Sequence, residues 1–134
     1  CTYCHTNTTK SRFAGIPPVQ SCLNCHTVTK SGTDTVRELT RIYEEGEALK
    51  WKRVHRLPDH VYFDHRPHVN SGMDCVVCHG EVAQMEDLEQ NMSMRMGNCL
   101  DFHRDVHSYI DDPEYRSEIK SDLIGAEDCN ACHR

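Results

Sequence analysis

Apolar residues recur at helical spacing in only two stretches of the chain. Val36, Leu39, Ile42 and Tyr43 fall on one face, Thr35-x-x-Glu38 reads as a capping box, and Gly46 reads as a stop. A helix of about three turns is predicted there. The second stretch opens with Asp112 as cap and Pro113 at the first helical position. Tyr115, Ile119 and Leu123 then share a face, and Gly125 ends the pattern. After Pro58, Val61-Tyr62-Phe63 predicts a short extended segment. The remainder reads as turns and very short helices.

Two sparse helices and one extended segment do not make a conventional core. Apolar residues are 37% of the 134 residues and mean hydropathy is −0.69, below an ordinary globular chain. One domain of this length therefore needs a staple or a bound group in its middle. Nine cysteines point the same way, to disulfides, zinc or haem. The net charge of −6 argues against a nucleic-acid partner. No run approaches the roughly 18 consecutive apolar residues of a membrane-spanning helix.

Eight of the cysteines fall into four copies of Cys-x-x-Cys-His: Cys1, Cys4, His5; Cys22, Cys25, His26; Cys75, Cys78, His79; and Cys129, Cys132, His133. This is the attachment signature of haem c. Two thiols add to the two haem vinyl groups, and the next residue lies under the ring, where its imidazole reaches the iron. Cys-x-x-Cys pairs also build zinc ribbons, but zinc does not require a histidine directly after every pair. Disulfides do not require one either. With histidine at 10 of 134 residues, chance does not supply four. On this basis the stripe of the first predicted helix is expected to cover a haem.

Beyond those four, the remaining histidines are His55, His60, His65, His68, His103 and His107. His103 stands four places after Cys99 in "MGNCLDFHRD", an incomplete motif in which Phe102 takes the place of the second cysteine. Counting His103 as a fifth proximal ligand leaves five imidazoles for five distal positions. His65 and His68, just before the motif at Cys75, are the leading distal candidates, followed by His55, His60 and His107. On a continuous helix His103 and His107 would share a face, so His107 would have to serve another haem. Met92, Met94 and Met96 are competing axial ligands, although flexible thioethers more often fill gaps in packing. An internal echo, "SGMDCVVCHG" and "GAEDCNACHR", places glycine and then an acid before two of the motifs.

Three stretches, "CTYCHTNTTKSRFAGIPPVQSCLNCH", "WKRVHRLPDHVYFDHRPHVNSGMDCVVCHGEVAQME" and "MGNCLDFHRD", together resemble the pentahaem cytochrome subunit of alternative complex III. They are similar also to related multihaem cytochromes of molybdopterin-type oxidoreductase complexes. The resemblance runs to about Asp105 and is weaker beyond it. It implies a small, class III-like multihaem c-type cytochrome, with short α-helices and irregular loops wrapped around stacked, mostly bis-histidine haems and little β-structure. It also implies a place on the periplasmic side of the bacterial inner membrane, in a respiratory or photosynthetic complex. The implied partners are iron–sulfur or molybdopterin-like and membrane quinol-oxidising subunits, with a soluble cytochrome, copper protein or terminal oxidase as acceptor.

The family's fourth site reads Met-Gly-Trp-Cys-x-x-Cys-His-Arg, so Asn98 and Phe102 are departures here. Met96, Gly97, Cys99, His103 and Arg104 are retained. A fifth haem held by a single thioether from Cys99 is therefore expected, in addition to haem at the four complete motifs. The family also carries Phe-x-His-x-x-His before its first motif. Residues 1–134 thus read as one multihaem domain of a longer chain that lacks its N-terminal part, with an anchor expected upstream.

Electron transfer is the leading function, because no phosphate-binding loop or Ser-His-Asp set accompanies the haem motifs. An enzyme would need one haem with an open axial position, and this chain is rich in histidine. A free periplasmic shuttle and a subunit of a cytochrome filament are the alternatives.

Overall fold

The computed structural model describes residues 1–119 and 122–133. Its framework is a series of short helices: α1 (Val19–His26), α2 (Asp34–Glu44), α3 (His65–Asn70), α4 (Cys75–His79), α5 (Met96–Arg104), α6 (Pro113–Glu118) and α7 (Cys129–Cys132). Among the described residues β-structure is limited to one antiparallel bridge, Val61 with His133. Tyr62 N–H adds a bond to the Cys132 carbonyl at 2.7 Å. The expected extended segment at Val61–Phe63 thus ties the fourth motif to the middle of the chain.

Helix α2 forms where its periodicity predicts, but its cap is Thr33 rather than Thr35. The Thr33 hydroxyl accepts the Val36 N–H at 3.4 Å, and Glu38 turns outward to Arg41 at 2.8 Å. Two residues separate expectation from structure because Thr33, not Thr35, is the last residue with extended backbone. Gly46, at φ +67°, lets the Glu47 N–H close back on the Ile42 carbonyl at 2.9 Å, ending the helix. Leu23 of α1 and Val36 of α2 are buried where the two helices pack.

The predicted second helix is much shorter than its pattern. Asp112 does cap it, accepting the Glu114 N–H at 2.9 Å, but α6 stops at Glu118. Ile119 turns extended and enters the small core of Met73, Phe102, Val106, Ile110 and Ile119, which Leu123 and Tyr115 flank. Burial of Ile119 overrides continuation of the helix. The part of that prediction at 120–121 lies outside the described residues. Tyr115 links the core to α4: its hydroxyl donates to the Gly72 carbonyl at 2.7 Å and accepts the Asp74 N–H at 2.5 Å.

Candidate haem-binding site

Each Cys-x-x-Cys-His motif sits on or beside a helical turn. The first makes such a turn with His5 N–H on the Cys1 carbonyl at 3.0 Å; the others lie in α1, α4 and α7. The acid of the internal echo has a visible function at Asp74, whose carboxylate accepts the Val76 N–H at 3.4 Å and caps α4. Asp128 occupies the matching position before α7. None of the nine cysteines is paired in a disulfide.

Most motif histidines have their Nδ1 against a backbone carbonyl: His5 to Gly15 at 2.7 Å, His26 to Thr29 at 3.1 Å, His103 to Ala126 at 2.6 Å and His133 to His60 at 3.3 Å. A carbonyl accepts only from a protonated Nδ1, so Nε2 is left with its lone pair free for a metal. His65 and His68 follow the same rule, with their Nδ1 atoms on the Arg12 carbonyl at 3.0 Å and the Asp64 carbonyl at 2.7 Å. The structure therefore prepares distal as well as proximal imidazoles.

These rings face one another in pairs. His65 and His79 have centroids 6.4 Å apart and planes 3° from parallel. His68 and His103 stand at 6.0 Å and 26°, and His60 and His133 at 5.5 Å and 18°. Two imidazoles on opposite sides of one metal, with bonds of about 2.0 Å each, have ring centres about 6 Å apart. The donor set, tautomers and separations therefore fit bis-histidine haem. His65 and His68 come from one helix, α3, which begins at Asp64. The Asp64 carboxylate accepts the Arg66 N–H at 2.9 Å, and the Arg66 side chain holds its pKa down, at about 2. Pro67 falls in the first turn, where its missing N–H costs nothing.

The other candidates are placed differently. His55 lies edge-on to His79, with centroids 4.6 Å apart and its Nε2 3.2 Å from His79 Nδ1. That is the position of a hydrogen-bond partner to His79, so an iron for His55 would belong to another site. His107 does not share a helical face with His103, because α5 ends at Arg104 and His107 sits on the 3-10 turn Val106–Tyr109. Met92 packs against the core and Met96 is 65% exposed. Clefts adjoin both N-terminal motifs: about 230 Å³ beside Cys4, between Tyr3 and Ser21, and about 490 Å³ beside His26, against Arg37, Thr40, Arg41 and Glu44. The larger one meets the polar face of α2, whereas its apolar stripe was expected to cover a haem.

Burial pushes the proton affinities of His68 and His79 below the ordinary histidine value and raises those of the Cys78 and Cys99 thiols. The charge influence of Cys99 reaches Cys78, and that of Cys132 reaches Cys99. The third, fourth and fifth attachment points along the chain are therefore close neighbours.

The sequence profile of the family described as cytochrome c7 and related cytochrome c matches residues 61–134. That stretch holds two complete motifs, the incomplete one, the pairs His65–His79 and His68–His103, and His133 of the third pair. The chain belongs to this family. A protein of Nitratidesulfovibrio vulgaris (strain Hildenborough), the multiheme cytochrome c subunit of menaquinone reductase, is 30% identical over 97 residues. Those residues are 64% of this chain and 46% of that protein, so the chain spans about half the length of the relative it matches. This is a multihaem cytochrome c with covalently bound haem, and its function is electron transfer. The likeness supports a multihaem cytochrome c, a broader description than the alternative complex III subunit in particular.

Sequence reasoning missed the outer partners of the ligands: the Arg12, Asp64 and Ala126 carbonyls, and Tyr115. Only the repeated glycine-then-acid before the motifs signalled any of them. Nothing in the local sequence points from Arg12 to His65, 53 positions away.

Proposed function

We propose that this cytochrome exchanges electrons between a membrane quinone-reactive complex and a soluble carrier on the periplasmic side of a bacterial inner membrane. It does so with haem at its four complete motifs and a fifth at Cys99 and His103. The observation that carries the reading is helix α3. Its two histidines, one turn apart, face motif histidines of two different sites, so six residues hold two redox centres in adjacent, fixed positions.

When bound, haem supplies an iron that passes one electron at a time between its ferrous and ferric states. The residues supply everything else. Backbone carbonyls fix the imidazole tautomers and orientations. Where two histidines would hold one iron, as at the pairs His65–His79, His68–His103 and His60–His133, no position would be left for a substrate, as suits a wire rather than an enzyme. The short helices keep the sites close without a large apolar core between them.

Likeness to a menaquinone reductase subunit supports a quinone-linked complex, and in this reading its neighbours are iron–sulfur or molybdopterin-like and membrane subunits. A soluble cytochrome, copper protein or terminal oxidase would be the partner at the far end of the chain of haems. The test is purification from source membranes in mild detergent, followed by mixing with a menaquinol analogue. Co-elution with quinone-reactive membrane subunits and reduction of the haems through them is the expected result. A monomer released by mild lysis, and untouched by quinol, would replace this reading with the free shuttle.

A further inference from the structure

The site at Cys99 lacks a thiol and gains a grip. Cys99 and His103 lie one turn apart on α5, as in the complete motifs. The position of the second thiol is taken by Phe102, which is 7% exposed and points into the core, edge-on to Tyr109 at 5.3 Å. At the complete motifs the corresponding cysteines are half-buried or exposed. Phe102 is thus committed to packing, and one side of any haem here loses its covalent tether.

The segment immediately before α7 closes on His103 instead. The Gly125 N–H donates to the His103 carbonyl at 3.0 Å, and the Ala126 carbonyl accepts from His103 Nδ1 at 2.6 Å. Arg104 pairs with Glu127 at 2.9 Å. Gly125 lies so close to the imidazole that any Cβ there would overlap His103 Cγ, Cδ2 and Cβ. Three consecutive residues, more than twenty positions along the chain, therefore hold the backbone, ring and neighbour of this histidine. By contrast, His26 takes its carbonyl from Thr29, three residues on. Across the site stands the half-buried ring of His68.

We propose that this site carries haem on one thioether, from Cys99, between His103 and His68, with Gly125–Glu127 as the positioning device that takes over from the missing second thioether. The inference rests on the electron-transfer reading above. In the covalent step the Cys99 thiol adds across one vinyl group. The sulfur–carbon bond forms at the carbon next to the ring, the thiol hydrogen goes to the terminal carbon, and the double bond is lost. No oxidant or reductant is consumed, and the second vinyl group stays intact.

The test uses the holoprotein made with c-type maturation. Peptide mass mapping of the denatured protein is expected to find one haem on the Cys99 peptide with one vinyl group unreacted. The reduced haemochrome is expected to show an α-band component at longer wavelength than the others. Cys99→Ser removes one covalent haem and that component together. Gly125→Ala retains every covalent haem but turns one low-spin ferric signal high-spin. The control Gly32→Ala, where an added Cβ meets open space, changes neither. An unmodified Cys99 peptide beside four loaded motifs overturns the inference and leaves the electron-transfer reading standing. Absence of covalent haem everywhere overturns both. A wild-type spectrum for loaded Gly125→Ala would overturn the role of the 125–127 segment.

Discussion

The two ends of this cytochrome prepare their haem sites in different ways. Around the C-terminal motifs, imidazoles face each other in pairs at 5.5–6.4 Å, and a small core of Met73, Phe102, Val106, Ile110 and Ile119 lies beside them. Around the first two motifs, His5 and His26 hold nearby carbonyls, Cys4 and His26 each line a cleft, and Leu23 and Val36 are buried between α1 and α2. Where side chains pack among themselves, protein contacts help to hold the ligand geometry. Where they cannot, haem itself must supply the middle of the fold.

The largest effect that would break this comparison is loss of a facing imidazole. His68→Ala is expected to convert one six-coordinate site to five-coordinate, seen as a high-spin ferric signal in electron paramagnetic resonance. An unchanged spectrum would remove His68 from the pair with His103. Next comes the core. Phe102→Ala is expected to cost about 3–5 kcal/mol, whereas Leu23→Ala in the N-terminal part should cost about 2 kcal/mol, the low end for such a change. Denaturant midpoints of the loaded proteins would measure both, and equal losses would erase the distinction drawn here.

Acid sharpens the comparison further. Burial depresses the pKa of His68 and His79 below the ordinary 6.5, so the folded, haem-free chain binds fewer protons than the unfolded one. Their contribution is complete above about pH 6.5 and is lost as pH falls through the lower folded values. Urea midpoints of the haem-free chain should therefore drop between neutral and mildly acidic pH, and His68→Phe should flatten that drop. The smallest effect belongs to the cap of α2. Thr33→Ala should cost about 1 kcal/mol and leave every haem signal in place, since its hydroxyl serves only the first turn and the Lys30 carbonyl at 2.9 Å.

Much of the site was legible in the sequence because thioether chemistry is local. Two sulfurs and an imidazole must reach one ring, which demands Cys-x-x-Cys-His wherever it occurs. Cys99 and His103 were legible as the same motif with one part replaced. The fold was legible only in part: α2 came from its period, but its cap moved from Thr35 to Thr33, and the pattern from Asp112 to Gly125 produced a helix only as far as Glu118. In both cases the deciding term was backbone geometry or burial that periodicity does not encode.

By itself, the sequence marked the candidate attachment points and proximal ligands and pointed to electron-transfer chemistry, because each signal depends on spacing within five residues. Only the tertiary structure decided which distal histidine faces which motif, that His55 sits beside His79, and that Gly125–Glu127 grips His103. These depend on contacts between segments 14 to 73 residues apart. Packing, not spacing, brings those segments together.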